Sequence, residues 1–181
     1  MLARHVYTVV FEFFILKKVK HTKEQIAEAK LKLKKFQDAV ITIKDYSHQL
    51  FNLRGEYPWV CDPLRGLIDW TPSLKNLWVF FCHLTSRDCD DFAALAFFTL
   101  KEKFKNWTIT EWCVIIDEKI ENSHMITTAS NKDVSIWYIF DNHQTLTSTE
   151  PNMKKYLQQY YNCGHQLAKY REAKAKYSQG K

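Results

Sequence analysis

The stretch from Phe92 to Leu100 constrains the fold most, because it is apolar on nearly every side of a helix. A helix without a polar face must be covered on all sides by the rest of the chain. Polar residues flank the stretch, and they predict a helix over about 89–104, preceded by a short break at 85–88. We therefore expect this helix at the centre of the domain, with the other elements packed around it.

Three segments that are typical of strands follow this helix, at 108–116, 123–129 and 134–141. Each is rich in β-branched and aromatic residues, and short polar segments separate them. A helical pattern returns after Pro151 and ends near Cys163. Helices followed by consecutive strands predict an α+β domain with an antiparallel sheet.

Residues 22–50 carry a helical pattern without Gly or Pro. Apolar side chains recur in it at spacings of three and four, at Ile26, Ala29, Leu33, Phe36, Val40 and Ile43. The pattern predicts one long, basic, amphipathic helix that packs on the domain or on a partner. Residues 52–70 contain two Gly and two Pro and are predicted to be mostly loop. Thr71-Pro72 then predicts the start of a helix that runs to about Leu84.

The chain divides by composition into three parts. An apolar segment and the long helix occupy 1–50, the core occupies 51–150, and a helix with a basic tail occupies 151–181. With 181 residues, of which 46% are apolar, the chain is large enough for one domain with a substantial core. Its apolar N-terminal stretch is too short to span a bilayer and contains Glu12, so we predict no membrane partner.

Charge and cysteine content indicate what the protein binds and where it works. The formal net charge of +6 comes mostly from lysines near the two ends, but no nucleic-acid motif accompanies it, so nucleic acid is not an expected partner. Five cysteines at irregular spacings indicate a reducing, cytoplasmic setting. Zinc could use Cys82-His83, Cys89 and His124, but the usual ligand spacings are missing. We predict no metal and no cofactor, and the sequence leaves the oligomeric state open.

Cys89 begins the predicted central helix among three aspartates, in the sequence Ser86-Arg87-Asp88-Cys89-Asp90-Asp91-Phe92-Ala93. Neighbouring carboxylates raise the pKa of a thiol, whereas the N–H groups and dipole at a helix start stabilise a thiolate. The backbone N–H of Cys89 could also serve as an oxyanion donor. A reactive cysteine at this position therefore needs a positive group nearby, such as a protonated histidine.

His124 and Asp141 lie on consecutive predicted strands. If the hairpin closes symmetrically around Lys132-Asp133, paired residue numbers sum to 265, and 124 and 141 meet that condition. Directly opposed side chains have Cβ atoms about 4.5–5.5 Å apart, so the carboxylate could hold the imidazole. A shift of the register by one residue would separate the two side chains onto different faces.

These three pieces resemble the bacterial transglutaminase-like cysteine proteinases. The match consists of Asp88-Cys89-Asp90-Asp91-Phe92-Ala93, then Ser123-His124-Met125-Ile126, then Phe140-Asp141-Asn142, with gaps of 35 and 17 residues between Cys89, His124 and Asp141. It covers about residues 70–145, and Ser123 stands where the family usually has glycine. The resemblance implies a papain-like fold, in which the cysteine helix packs on an antiparallel sheet. It also implies that Cys89 is the nucleophile, His124 the general base and acid, and Asp141 the orienting group.

The resemblance further implies a thiol hydrolase that acts on a peptide or isopeptide bond in a protein or peptide substrate. A second oxyanion donor is expected upstream of the nucleophile, with His83 and Trp70 as candidates, whereas Trp78 is expected to pack in the core. Two other functions stay open, a transglutaminase-type acyl transferase and a non-catalytic binding module that keeps the fold. In the second case Cys89 is a small buried side chain and Asp141 a turn former.

Overall fold

The computed structural model describes residues 21–58, 74–82, 87–116, 123–131, 133–162 and 167–169. The described helices are α1 (Lys23–Asp38), α2 (Ile43–Glu56), a 3₁₀ helix (Leu74–Phe81), α3 (Cys89–Lys103) and α4 (Met153–Tyr160). The strands are β1 (Thr108–Ile115), β2 (Ser123–Asn131), β3 (Val134–Asp141), β4 (Gln144–Ser148) and β5 (Leu167–Lys169). They form one antiparallel sheet in the order β4-β3-β2-β1-β5. The α+β class is confirmed.

The central helix α3 is confirmed at its predicted position. Nearly all of it from Asp90 to Leu100 is buried, with Leu95 and Leu100 completely so. It packs against β2, where the Thr127 hydroxyl donates a 2.8 Å hydrogen bond to the carbonyl of Ala93. Burial of each large aliphatic side chain stabilises the fold by about 1.5–3 kcal/mol, so this helix anchors the core.

The prediction of one long helix over 22–50 is wrong, because the segment forms two helices, α1 and α2. Thr42 begins α2 with a capping box. Its hydroxyl accepts from the Asp45 N–H at 3.2 Å, and the Asp45 carboxylate accepts from the Thr42 N–H at 2.7 Å. The bend lets the Phe36 and Tyr46 rings meet edge to face at 5.6 Å. The apolar spacing continued across the bend and so concealed it.

Other boundaries also differ from the prediction. Helix α2 continues through Gly55 to Glu56, into the segment predicted as loop, and the helix predicted to reach Leu84 is a 3₁₀ helix that ends at Phe81. Its predicted start at Thr71-Pro72 lies outside the described residues. Strands β4 and β5 were not predicted. As expected, Trp78 packs against the core.

The sheet carries a separate apolar core on each face. One face, which includes Ala129 and Phe140, packs in the cluster that contains the buried side chains of α3. The other face, which includes Ile126 and Ile139, packs against Met153 and Leu157 of α4. Because side chains alternate along a strand, each residue of β2 and β3 is assigned to one of these two faces. Among the helices that the structure describes, none has the length and apolar character needed to cross a bilayer.

Candidate active site

The β2–β3 hairpin brings His124 and Asp141 together by a register that differs from the predicted one. Asn131 pairs with Val134, which fits the predicted sum of 265, but an irregularity at Ser130/Asn131 then shifts the register. Beyond it Thr127 pairs with Phe140, so His124 and Asp141 are diagonal neighbours and not directly opposed. The shift is by two residues, an even number, and both side chains therefore stay on one face.

The two side chains form a short hydrogen bond, 2.7 Å from His124 Nε2 to Asp141 Oδ1. They remain 17% and 18% exposed, so the pair is shielded but still open to proton exchange. Burial alone would raise the pKa of Asp141, but the hydrogen bond and charge of His124 and a bond from Tyr161 outweigh it and hold that pKa below its usual value. An ionised Asp141 can only accept, which places the proton of neutral His124 on Nε2 and leaves Nδ1 as the basic nitrogen.

Tyr161 is a third member of this cluster, and no sequence pattern indicated it. Its hydroxyl donates to Asp141 Oδ2 at 2.6 Å, and its ring centroid lies 5.8 Å from that of His124. It follows directly after α4, whose buried Met153 and Leu157 dock on the same face of the sheet. The contact depends on this packing and not on any local sequence spacing.

Cys89 is the first residue of α3 and is partly exposed. The helix begins as expected, with Asp91 in a capping role, because its Oδ2 accepts from the Asp88 N–H at 3.2 Å. Asp90 and Asp91 are both buried beside the cysteine, and oxygen atoms of Asp88, Asp90 and Asp91 lie within 4.8 Å of one another. The thiol of Cys89 therefore lies at the N-terminus of a helix, among three aspartates, as the sequence indicates.

Arg87 supplies positive charge to this acidic start. Its side chain is buried, donating from Nε to the carbonyl of Phe80 at 2.6 Å and from Nη2 to the carbonyl of Cys82. The guanidinium also lies 4.8 Å from the centre of the Tyr57 ring. Burial lowers the pKa of Arg87 while the Asp91 carboxylate opposes that shift. Arg87 thus ties the end of the 3₁₀ helix to the start of α3 and offsets the charge of Asp91.

Cys89 and the His124–Asp141 pair lie at the same end of the sheet. The ring of Phe92, in the first turn of α3, contacts that of His143 at 4.4 Å, and His143 lies in the turn that follows Asp141. The helix that begins with Cys89 and the His124–Asp141 pair nevertheless lie on different faces of the sheet. Helix α3 packs on the face of Thr127, whereas alternation along β2 places His124 on the face of Ile126 and α4.

The candidate oxyanion donors His83 and Trp70 lie outside the described residues. Of the other cysteines in the described part of the chain, Cys82 is buried and Cys113 is partly exposed. Burial raises the pKa of the Cys82 thiol and makes it a poor nucleophile. Comparisons with known protein families, with curated proteins and with solved structures give no match to this chain.

Proposed function

We propose that the protein is a thiol hydrolase of the papain-like, transglutaminase-like type, with Cys89 as nucleophile, His124 as base and acid, and Asp141 as the orienting group. The observation that carries this proposal is the 2.7 Å bond between His124 and Asp141 at the end of the sheet where α3 begins. That bond directs Nδ1 of the imidazole away from the carboxylate. The proposal requires that Cys89 Sγ come within hydrogen-bond distance of His124 Nδ1 at this end of the sheet.

The chemistry follows from these roles. His124 takes the thiol proton on Nδ1, and the Cys89 sulfur attacks a peptide or isopeptide carbonyl to form a C–S bond. As the C–N bond breaks, His124 gives its proton to the leaving amine. Water then attacks the thioester, again losing a proton to His124, and the acid product leaves as the thiol is restored. An amine in place of water would give transfer of the acyl group.

A non-catalytic binding module is the second candidate, and the two faces of the sheet favour it. Helix α3 and the His124–Asp141–Tyr161 cluster pack on opposite faces, which is compatible with purely structural roles for Cys89 and His124. In that case the imidazole and the carboxylate stabilise the end of the hairpin, and the thiol has ordinary reactivity. The two candidates differ in the chemistry of one sulfur atom, so a thiol reagent separates them.

Under the hydrolase proposal, iodoacetamide at neutral pH should alkylate Cys89 at least about tenfold faster than Cys113, because a larger fraction of Cys89 is thiolate. Cys113 is the internal control, since it is also partly exposed, and buried Cys82 should react most slowly. Peptide mapping by mass spectrometry gives the rate constant of each of the five cysteines. Equal rates at Cys89 and Cys113 would favour the binding module.

A further inference from the structure

We propose that Tyr161 is a positioning residue for His124, because its hydroxyl fixes the Asp141 carboxylate that orients the imidazole. This inference rests on the proposed function in so far as His124 acts in proton transfer. It assigns a role to the residue directly after α4, outside the three sequence segments that carry the family resemblance. The C-terminal part of the chain thereby becomes part of the active site.

The geometry around Asp141 supports this role. Its Oδ1 accepts from His124 Nε2 at 2.7 Å and its Oδ2 accepts from the Tyr161 hydroxyl at 2.6 Å. A carboxylate held at only one oxygen can rotate about its Cβ–Cγ bond, whereas one held at both oxygens is confined to one plane. Because that plane determines where the His124 ring lies, Tyr161 acts on the imidazole through Asp141.

Packing, a backbone hydrogen bond and a ring contact hold Tyr161 beside Asp141. Met153 and Leu157 are almost completely buried against the sheet, and the Tyr161 backbone N–H donates to the Leu157 carbonyl at 3.0 Å. The Tyr160 ring packs edge to face on the Tyr161 ring at 4.8 Å. The next residue, Asn162, has a φ of 48°, a left-handed conformation that asparagine tolerates and that ends the helix.

The electrostatics are consistent with a permanent donor. Burial, followed by the charge and hydrogen bond of Asp141, raises the pKa of Tyr161 far above its usual value, so the hydroxyl keeps its proton. The described groups that act on the Asp141 carboxyl are His124 and Tyr161. Both stabilise its ionised form, which is the form that holds the proton of neutral His124 on Nε2.

The test is the tautomer of His124, measured by ¹⁵N NMR of the ring nitrogens in wild type and Tyr161→Phe. Wild type should show only the Nε2–H form in the neutral state. Tyr161→Phe keeps the ring but removes the donor, and it should show a mixture of the two tautomers. The matched control is Tyr160→Phe, which changes an exposed neighbouring tyrosine and should leave the wild-type spectrum unchanged.

A single Nε2–H tautomer in folded Tyr161→Phe would overturn the inference. If that variant unfolds, the wild-type protein still tests the inference. A Tyr161 hydroxyl proton that is hydrogen-bonded to Asp141 should exchange slowly and give a resonance with a nuclear Overhauser effect to the His124 ring. Absence of that resonance would overturn the inference too. The alkylation rate of Cys89 is measured separately and should fall by up to about tenfold in Tyr161→Phe, the change in thiolate fraction that a rise of one unit in the thiol pKa gives. An unselective wild-type Cys89 would refute the proposed function, while the tautomers would still report on Tyr161.

Discussion

Replacing Arg87 with alanine is expected to lower the free energy of unfolding by about 3–5 kcal/mol, because two buried hydrogen bonds from a charged group are lost and each contributes roughly 1.5–3 kcal/mol. Arg87 is 4% exposed, its guanidinium donates to the carbonyls of Phe80 and Cys82, and the charge of the buried Asp91 acts on it. Its removal takes the Arg87 donor from these carbonyls and removes a positive charge that acts on the Asp91 carboxylate. Urea unfolding followed by circular dichroism measures the change.

The control for Arg87→Ala is Arg54→Ala, which removes the same side chain from an exposed position on α2. That variant should lose less than about 1 kcal/mol, because exposed charges contribute little. Arg87→Lys should fall between the two, since lysine keeps the charge but cannot donate from a planar fork to two carbonyls. If Arg87→Ala proved no more destabilising than Arg54→Ala, the hydrogen bonds of Arg87 would not stabilise the start of α3.

Replacing His124 with alanine is expected to lower the alkylation rate of Cys89 at pH 7 by up to about 30-fold, because an ordinary thiol with a pKa of about 8.5 is only roughly 3% thiolate at that pH. Without the imidazole, the thiol still follows Asp88 and precedes the buried Asp90 and Asp91, whose carboxylates disfavour its ionisation. The rates at Cys82 and Cys113 should not change. His48→Ala is the matched control, because His48 is an exposed histidine on α2. A fall of the same size in His48→Ala, or none in His124→Ala, would contradict the assigned role.

The sequence predicted the helices and strands whose formation depends mainly on their own residues. The all-apolar middle of α3 predicted a buried helix, and the β-branched segments at 108–116 and 134–141 predicted strands, as the structure has them. The break between α1 and α2 was missed because the apolar spacing runs through it. Its signal is the Thr42–Asp45 capping box, preceded by the β-branched pair Val40-Ile41.

Predicting strands β4 and β5 would have required knowledge of the strands they pair with. Strand β4 follows a two-residue turn in which Asn142 has a φ of 49°, and an asparagine there was the available signal. Strand β5 has only three residues and is defined by its pairing with β1. Short edge strands of this kind take their structure from the neighbouring strand, so their own composition predicts little.

The candidate site was predictable in part. The His124–Asp141 contact was found because two strands joined by a short turn limit the register to a few values, and the irregularity changed that register by an even number. Tyr161 was missed, since its contact with Asp141 depends on how α4 packs on the sheet. The face on which α3 packs was also unpredictable, because alternation assigns residues to a face but does not show which helix covers it.

The pH dependence of Cys89 alkylation, in wild type and in His124→Ala, tests the central claim most directly. If the imidazole supports the thiolate, the wild-type rate should reach its plateau well below the ordinary thiol pKa of about 8.5. In His124→Ala the midpoint should then move to that value or above it. Coincident profiles for the two proteins, both with the midpoint of an ordinary thiol, would contradict the claim that Cys89 and His124 form one catalytic unit.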